Sequence, residues 1–572
     1  MTISGGQLLS RVMSTDDSGH FQITGLPAGT YSAVVSKPGY VTNYVGSRRP
    51  GRSPGIPFSV AEGEHHDLAV ELMRGAVISG VITDPFGQPV PNVRVTVMEN
   101  RLANGERRLV NASTNGPNSM QTDERGSYRI WGLPAGTYVV SVAPVNLPAN
   151  ASIRQITTAD LDWAREQLSA SRGGAPNAPA PDAGRAVGYS TVYFPGVVDA
   201  SAAAPLVVGA GEEHTGVNFS LQLVPTSTIE GSVIGIDGQP ATSGVQVQLT
   251  LSQAGARSGA VIGATSTRGV SVDRTGKFTL AGIPPGQYTL TARGNSRASV
   301  SVSVLSGSSG APPPPPPPLP PQVQTQDVWA TSEIGVAGDD IKGLVLSLRP
   351  GMTVSGRAVF EGNSPAVTDL TRVRVGLSPM SNDGIAFNIP QRAIASNGTF
   401  TLTGVTPGRY RPLTSIVNSP TPGSPQGASV QNPWRLKSAL WQGHDLLDVP
   451  LEIHPDENIA DVTLVFSDVQ TEISGTLTTG AGTPALGYVV VVFTTDASLW
   501  PLNSRRVRSA TPQADGTYKI TGLPAGTYFL GALTEVDFND LSDPSFLEQL
   551  AGASLKVTLT DGGKVVQNLR LK

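Results

Sequence analysis

Short runs in which apolar and polar residues alternate, cut by Gly and Pro, recur along this chain. Alternation at a period of two is the mark of a strand with one face buried. One phrase shows it most clearly and occurs five times. In its first copy Phe21 and Ile23 point to one face, Gln22 and Thr24 to the other. Gly25-Leu26-Pro27-Ala28-Gly29 then breaks the strand, since glycine opens backbone angles closed to other residues and proline presets a turn. Alternation resumes from Tyr31 through Ala33 and Val35. Later copies begin at Tyr128, Phe278, Phe400 and Tyr518 and reach Tyr138, Tyr288, Tyr410 and Tyr528, ten residues on each time. The copies stand roughly 105 to 150 residues apart, the size of a whole domain.

A tyrosine that opens a strand just after a Leu-Pro-x-Gly corner resembles the tyrosine corner of immunoglobulin-like sandwiches. There the ring packs inside and its hydroxyl bonds a backbone group slightly upstream. The five tyrosines are therefore read as structural. A second recurring pattern, an alternating strand followed by an apolar-x-Gly strand, marks where one module ends and the next begins. It reads Leu68-Ala69-Val70-Glu71-Leu72 into Val77-Ile78-Ser79-Gly80, and returns at Gly231, Gly356 and Gly475. Modules are expected at 1–72, 73–223, 224–348, 349–466 and 467–572, joined by junctions of a few residues that suggest stiff neighbours in an extended line. The first lacks the opening strands that the fifth supplies from about 467 to 500, so it is expected to be a partial sandwich. Met1 is then an internal start of a longer chain, or a partner donates a strand.

At Gly80-Val81-Ile82-Thr83-Asp84, with Gly87-Gln88-Pro89-Val90-Pro91 after it and the phrase at Tyr128 to Tyr138, the second module resembles the carboxypeptidase regulatory-like domain. The other modules keep the second half of that pattern and vary the first, as in Asp237-Gly238-Gln239-Pro240. The resemblance implies a seven-stranded, transthyretin-like sandwich grouped with carbohydrate-binding-like folds, which accompanies catalytic or membrane partners and does no chemistry itself. The fold class expected is all-β, a tandem array of immunoglobulin-like or transthyretin-like sandwiches.

Two insertions interrupt the repeats. Near 144–190, Thr158 followed by Leu161, Ala164 and Leu168 predicts a short amphipathic helix. Near 306–322, seven prolines from Pro312 predict a polyproline II spacer. A further short helix is expected at 545–550, with Ser545 and Glu548 at capping-box spacing.

The chain has no cysteine, which removes disulfides and thiolate chemistry, and a formal net charge of −4, which lacks the footprint of a nucleic-acid binder. The short basic runs Arg48-Arg49, Arg107-Arg108 and Arg505-Arg506-Val507-Arg508 read as solvated strand edges. No apolar run is long enough for a membrane span. His454-Pro455-Asp456-Glu457 matches half of a zinc-peptidase motif, but no histidine follows it and it falls in a turn. His65-His66 reads as a loop pair, and Gly51-Arg52-Ser53-Pro54-Gly55 matches a nucleophile elbow without the flanking strand and helix. Asp123 and Asp273, each three residues before a glycine, read as tight turns. Asn218 and Asn568 face first strands that carry no lysine, so an isopeptide crosslink is not expected.

No catalytic residue, metal site or cofactor is expected. Binding candidates are Trp131, Trp329, Trp434, Trp441 and Trp500. Trp131 stands out because it shares the outward face with Arg129, where other copies carry Thr24, Ala281, Thr403 and Thr521; the helix around Leu161 and Leu168 is expected to cover it. The chain thus reads as a non-catalytic exported protein, a spacer and binding scaffold, with a polysaccharide or cell-envelope protein as partner. The alternative is an accessory region of a larger peptidase, transport or TonB-dependent uptake system. An extracellular, cell-surface or periplasmic location follows, with an export signal expected upstream of Met1.

Overall fold

The structure is a computed structural model of residues 1–572. It describes all of them except 6–7, 48–50, 52–54, 56, 104–105, 113, 115, 144–152, 155, 157, 171–185, 242–243, 252–260, 263–267, 297–325, 365–366, 368, 381–388, 418–432, 486, 501–503, 514, 535–539 and 572. The polyproline run, Arg48-Arg49 and most of the elbow-like loop lie outside the described residues.

The second to fifth copies of the phrase each build a sandwich of two sheets on one plan. In the fifth, the phrase strand Thr517–Thr521 runs antiparallel to the opening strand Glu472–Thr478. The closing strands Lys564–Val566 and Leu569–Arg570 run parallel along its other edge. The facing sheet has the order Val507–Ala510, Val489–Thr494, Gly526–Leu533, Leu555–Leu559. Inward residues of both sheets, among them Ile473, Leu477, Val490, Val492, Tyr518, Ile520 and Leu530, form one core. The opening strands Ala76–Thr83, Ser227–Ile234 and Met352–Glu361 hold the same central place between a phrase strand and a parallel closing strand.

That central strand explains its recurring glycine. A Cβ at Gly475 would lie 1.9 Å from the carbonyl oxygen of Gln567, and one at Gly356 would lie 1.9 Å from that of Val462 and 2.9 Å from the Phe400 ring. The closing strand and the phrase aromatic leave room for hydrogen only. Asn218 and Asn568, set aside as crosslink partners, instead accept the amides of Val81 (2.8 Å) and Thr476 (3.0 Å) on the opening strands.

The corners form as the phrase requires. The hydroxyls of Tyr31, Tyr138, Tyr288 and Tyr528 donate to the carbonyls of Pro27, Pro134, Pro284 and Pro524 at 2.6–2.9 Å. In the fourth copy Thr406 replaces that proline, and its hydroxyl bonds Tyr410 at 2.8 Å. All five rings are buried. The turns before each phrase are local as well: Asp16, Asp123 and Asp273 each accept two backbone amides two and four residues on.

The first copy departs from the plan. Its strands Thr2–Gly5 and Gly29–Val35 pair as their counterparts do in the facing sheets, and Met1, Ile3, Tyr31, Ala33 and Val60 form a small core. Residues 21–24, expected as a strand, are not one, and 64–73 belong to no strand either. A strand exists only with a neighbour to take its hydrogen bonds, and the opening strand is the missing neighbour.

Three other expectations change. Helix α1 (Thr158–Ala170) forms, but Leu161 and Leu168 are exposed; its covered side carries Asp160, Trp163, Ala164 and Gln167. Helix α2 (Pro544–Ala551) is capped by Asp543, whose carboxylate accepts the Ser545 amide at 2.9 Å, so the cap lies two residues before Ser545. The array is not a straight line: Asp540–Ser542 of the fifth sandwich lies beside Arg94–Ala103 of the second. No helix among the described residues is long and apolar enough to cross a membrane.

Candidate functional site at the joint of the fourth and fifth sandwiches

The fourth sandwich carries an addition. Strand Arg435–Trp441 pairs antiparallel with the closing strand Ile459–Ser467 and widens that sheet, then turns into the short strand His444–Asp445. Asp445 holds the turn together, one carboxylate oxygen accepting the amides of Ala439 and Leu447 at 3.0 and 3.1 Å. Its other oxygen accepts Arg505 Nη2 at 2.6 Å. Asp448 accepts Arg505 Nε at 2.7 Å and Arg506 Nη2 at 2.7 Å, and Arg505 Nη1 donates to the Lys437 carbonyl at 2.6 Å.

Arg505 and Arg506 come from the fifth sandwich, so the expectation of a solvated edge fails. Their side chains are 16% and 17% exposed, and that of Asp448 only 7%. Burial alone would lower the Arg505 guanidinium, but the hydrogen bonds and charges of Asp448 and Asp445 outweigh it and hold it above its ordinary value. Burial likewise pushes the Asp448 carboxyl up, and the two arginines more than reverse that. Arg506 Nη1 also reaches the corner hydroxyl of Tyr528 at 3.3 Å, which links the joint to the core of the fifth sandwich. Lys437 adds a more exposed bridge to Glu361 (3.1 Å) and Asp561 (2.6 Å). A planar guanidinium with several donors can hold two carboxylates and a carbonyl at once, which fixes orientation as well as distance.

The five tryptophans separate into two groups. Trp434 is buried edge-on against Phe360 at 5.2 Å, and Trp500 is buried against Phe493 with its indole N–H on the Thr494 carbonyl at 2.7 Å. Trp329 leaves the third sandwich to enter the core of the fourth. These three have no face for a ligand. Trp441 is half-buried at the hairpin edge, and Trp131 is half-buried on its sheet. The cover over Trp131 is the loop before the phrase: the Thr114 hydroxyl donates to its carbonyl at 2.7 Å, and a Cβ at Gly116 would lie 2.7 Å from the ring. The helix residues Leu161 and Leu168 do not supply it.

Other candidates settle into local structure. His454 and Glu457 form a closed turn, the His454 amide on the Glu457 carboxylate at 3.1 Å. His66 stacks on Phe58 at 4.9 Å. Among the described residues no three His, Asp or Glu side chains come close enough to hold a metal. No signal in the sequence pairs Arg505 with Asp448; only the added hairpin, 57 residues away, makes the pair visible.

No curated protein matches the chain. Among solved structures, the TIE protein of Bacillus anthracis is 11% identical, covering 84% of this chain and 68% of that one, with a TM-score of 0.14. Two B repeat units of the collagen binding protein of Staphylococcus aureus are 11% identical over 81% of this chain and 94% of theirs, with a TM-score of 0.15. A minor pilin of Streptococcus agalactiae is 12% identical over 42% of this chain and 95% of its own, at a TM-score of 0.20. Residues 77–162 match the family model of the carboxypeptidase regulatory-like domain. That stretch holds the opening strand, phrase strand and corner of the second sandwich, which is thus similar to a carboxypeptidase regulatory-like domain and set in a tandem array of all-β sandwiches.

Proposed function

We propose that the chain is a non-catalytic scaffold of the cell exterior, whose sandwiches space and present binding surfaces to a polysaccharide or a cell-envelope protein. The observation that carries this reading is the joint: the largely buried charged side chains of Arg505, Arg506 and Asp448 hold one sandwich to the next. Buried ion pairs of this kind fix geometry more than they add stability. The family matched over 77–162 is named for a regulatory-like domain, which agrees with a module that supports function carried elsewhere. That same match favours a second reading, an accessory region of a larger peptidase, transport or TonB-dependent uptake system.

The half-buried rings Trp131 and Trp441 are the surfaces proposed for ligand contact. A polysaccharide pull-down with the whole chain tests the first reading, with Trp131→Ala and Trp441→Ala as controls. Retention that neither substitution weakens would reject these two rings, and no retention on any polysaccharide would leave a protein partner as the remaining form of the scaffold reading. Peptidase activity that disappears on chelation and returns with zinc would overturn the scaffold reading itself.

A further inference from the structure

In the second to fifth sandwiches the first and the last strand are direct neighbours and run parallel. The chain therefore enters each sandwich at one end of this pair and leaves it at the other. In the fourth, the ladder is unbroken from the pair Gly356 and Val462 to the pair Glu361 and Ser467, and strand Arg435–Trp441 holds the closing strand from its other side. In the third, it is unbroken from Gly231 and Leu344 to Ile234 and Ser347. In the second and fifth it falls into two short pieces, and the side chains of Asn218 and Asn568 take the amides between them. The third and fourth closing strands end at Ser347 and Ser467, and the next opening strands begin at Met352 and Glu472.

We propose that the chain carries tension along its length, and that these parallel pairs are the clamps that bear it. Pulled from its two ends, a sandwich has its opening strand drawn one way and its closing strand the other, along the strand axis. The bonds of a parallel ladder are evenly spaced, so they share such a load and must yield together. Bonds of a pair drawn apart sideways yield one at a time. The recurring glycines serve the clamp: a Cβ at Gly80, Gly231, Gly356 or Gly475 would lie 1.9–2.6 Å from a carbonyl oxygen of the closing segment, so only glycine lets the two strands close. Load passes from one clamp to the next through a few residues. Everything between the first and last strand is spared until the clamp gives way, including helix α1, the added hairpin and the rings of Trp131 and Trp441. Whether a clamp holds does not depend on whether either ring binds a polysaccharide, so the pull-down and a pulling experiment can fail separately.

The test stretches the full chain by its two ends at steadily rising force, one molecule at a time. The lengths released, set by residues 76–220, 227–347, 352–467 and 472–570 at roughly 3.6 Å per residue, identify each sandwich as it opens. Forced opening follows the unfolding rate, so the second and fifth, with broken ladders, should open first, then the third, and the fourth last. A fourth sandwich that opens before the second or fifth would overturn the proposal. Direction of pull is the second arm. The chain has no cysteine, so a variant with Asn363→Cys and Gln470→Cys, both exposed, offers thiol handles beside the end of the clamp where Glu361 meets Ser467. Pulled by these handles, the fourth sandwich should open at clearly lower force than in the same variant pulled end to end. Equal force in the two directions would show that the pair is not loaded in shear, and the clamp would be lost with it.

Discussion

The first and fifth sandwiches begin from nearly the same words. Both have an aspartate-led turn or its equivalent, an aromatic-x-Ile pair, a Gly-Leu-Pro-Ala-Gly break and a corner tyrosine. Both corners close, Tyr31 on Pro27 and Tyr528 on Pro524, each at 2.6 Å. Between turn and corner, however, 517–521 is a strand and 21–24 is not. Turn and corner are satisfied within a few residues and need nothing remote. A strand takes its hydrogen bonds from its neighbours, so closely similar local sequence yields different local structure when the neighbour is absent. The fifth sandwich is also tied to the fourth through buried charge, while the first has its core half open.

The largest expected effect breaks the closed side of that contrast. Asp448→Ala leaves Arg505 and Arg506 buried without their shared carboxylate, and loss of one partner of such a group costs about 3–5 kcal/mol. Exchange at the amides of 507–510 and 526–533 should rise sharply, while 29–35 in the first sandwich stays as it was. Acid should act in the same direction. Asp448 is held below its ordinary 3.8, so its contribution is complete above about pH 4 and is lost as pH falls through the depressed folded value. A joint that stays equally protected from pH 5 to pH 2 would show that Asp448 does not hold it.

A smaller effect compares one residue type at one position. Ile520 is 4% exposed in the closed core, whereas Ile23 is half-buried beside the gap. Ile520→Ala should cost about 2–4 kcal/mol and Ile23→Ala about 1 kcal/mol or less, read as local stability by hydrogen exchange. Equal costs would mean that the first core is as closed as the fifth.

The repeated phrase made the sandwiches legible because its information is local: alternation for the strand, Gly and Pro for the break, a tyrosine for the corner. The glycines at 80, 231, 356 and 475 were visible as a pattern, but their reason was not. It lies in a carbonyl of the closing strand that approaches from far along the chain, as Gln567 approaches Gly475. Helix α1 was legible as a helix and misread in orientation, since Leu161 and Leu168 match an apolar spacing while Trp163 and Gln167 occupy the covered side. Arg505-Arg506 was misread for a related reason. A basic pair on a strand edge is solvated unless something covers it, and the cover is the hairpin added to the fourth sandwich.

The smallest expected effect tests whether the two corners are as alike as their geometry. Tyr31→Phe and Tyr528→Phe each remove one buried hydroxyl and leave a proline carbonyl without its donor, a loss of about 0.5–1.5 kcal/mol. Tyr528 also accepts a long hydrogen bond from Arg506, so its substitution should cost slightly more than that of Tyr31. Neither ring loses its packing, because phenylalanine fills the same volume. Local stability read at 31–35 and 528–533 measures both. If Tyr31→Phe has no effect while Tyr528→Phe does, the first corner depends on the missing strand after all, and the division between local corner and partner-dependent strand fails.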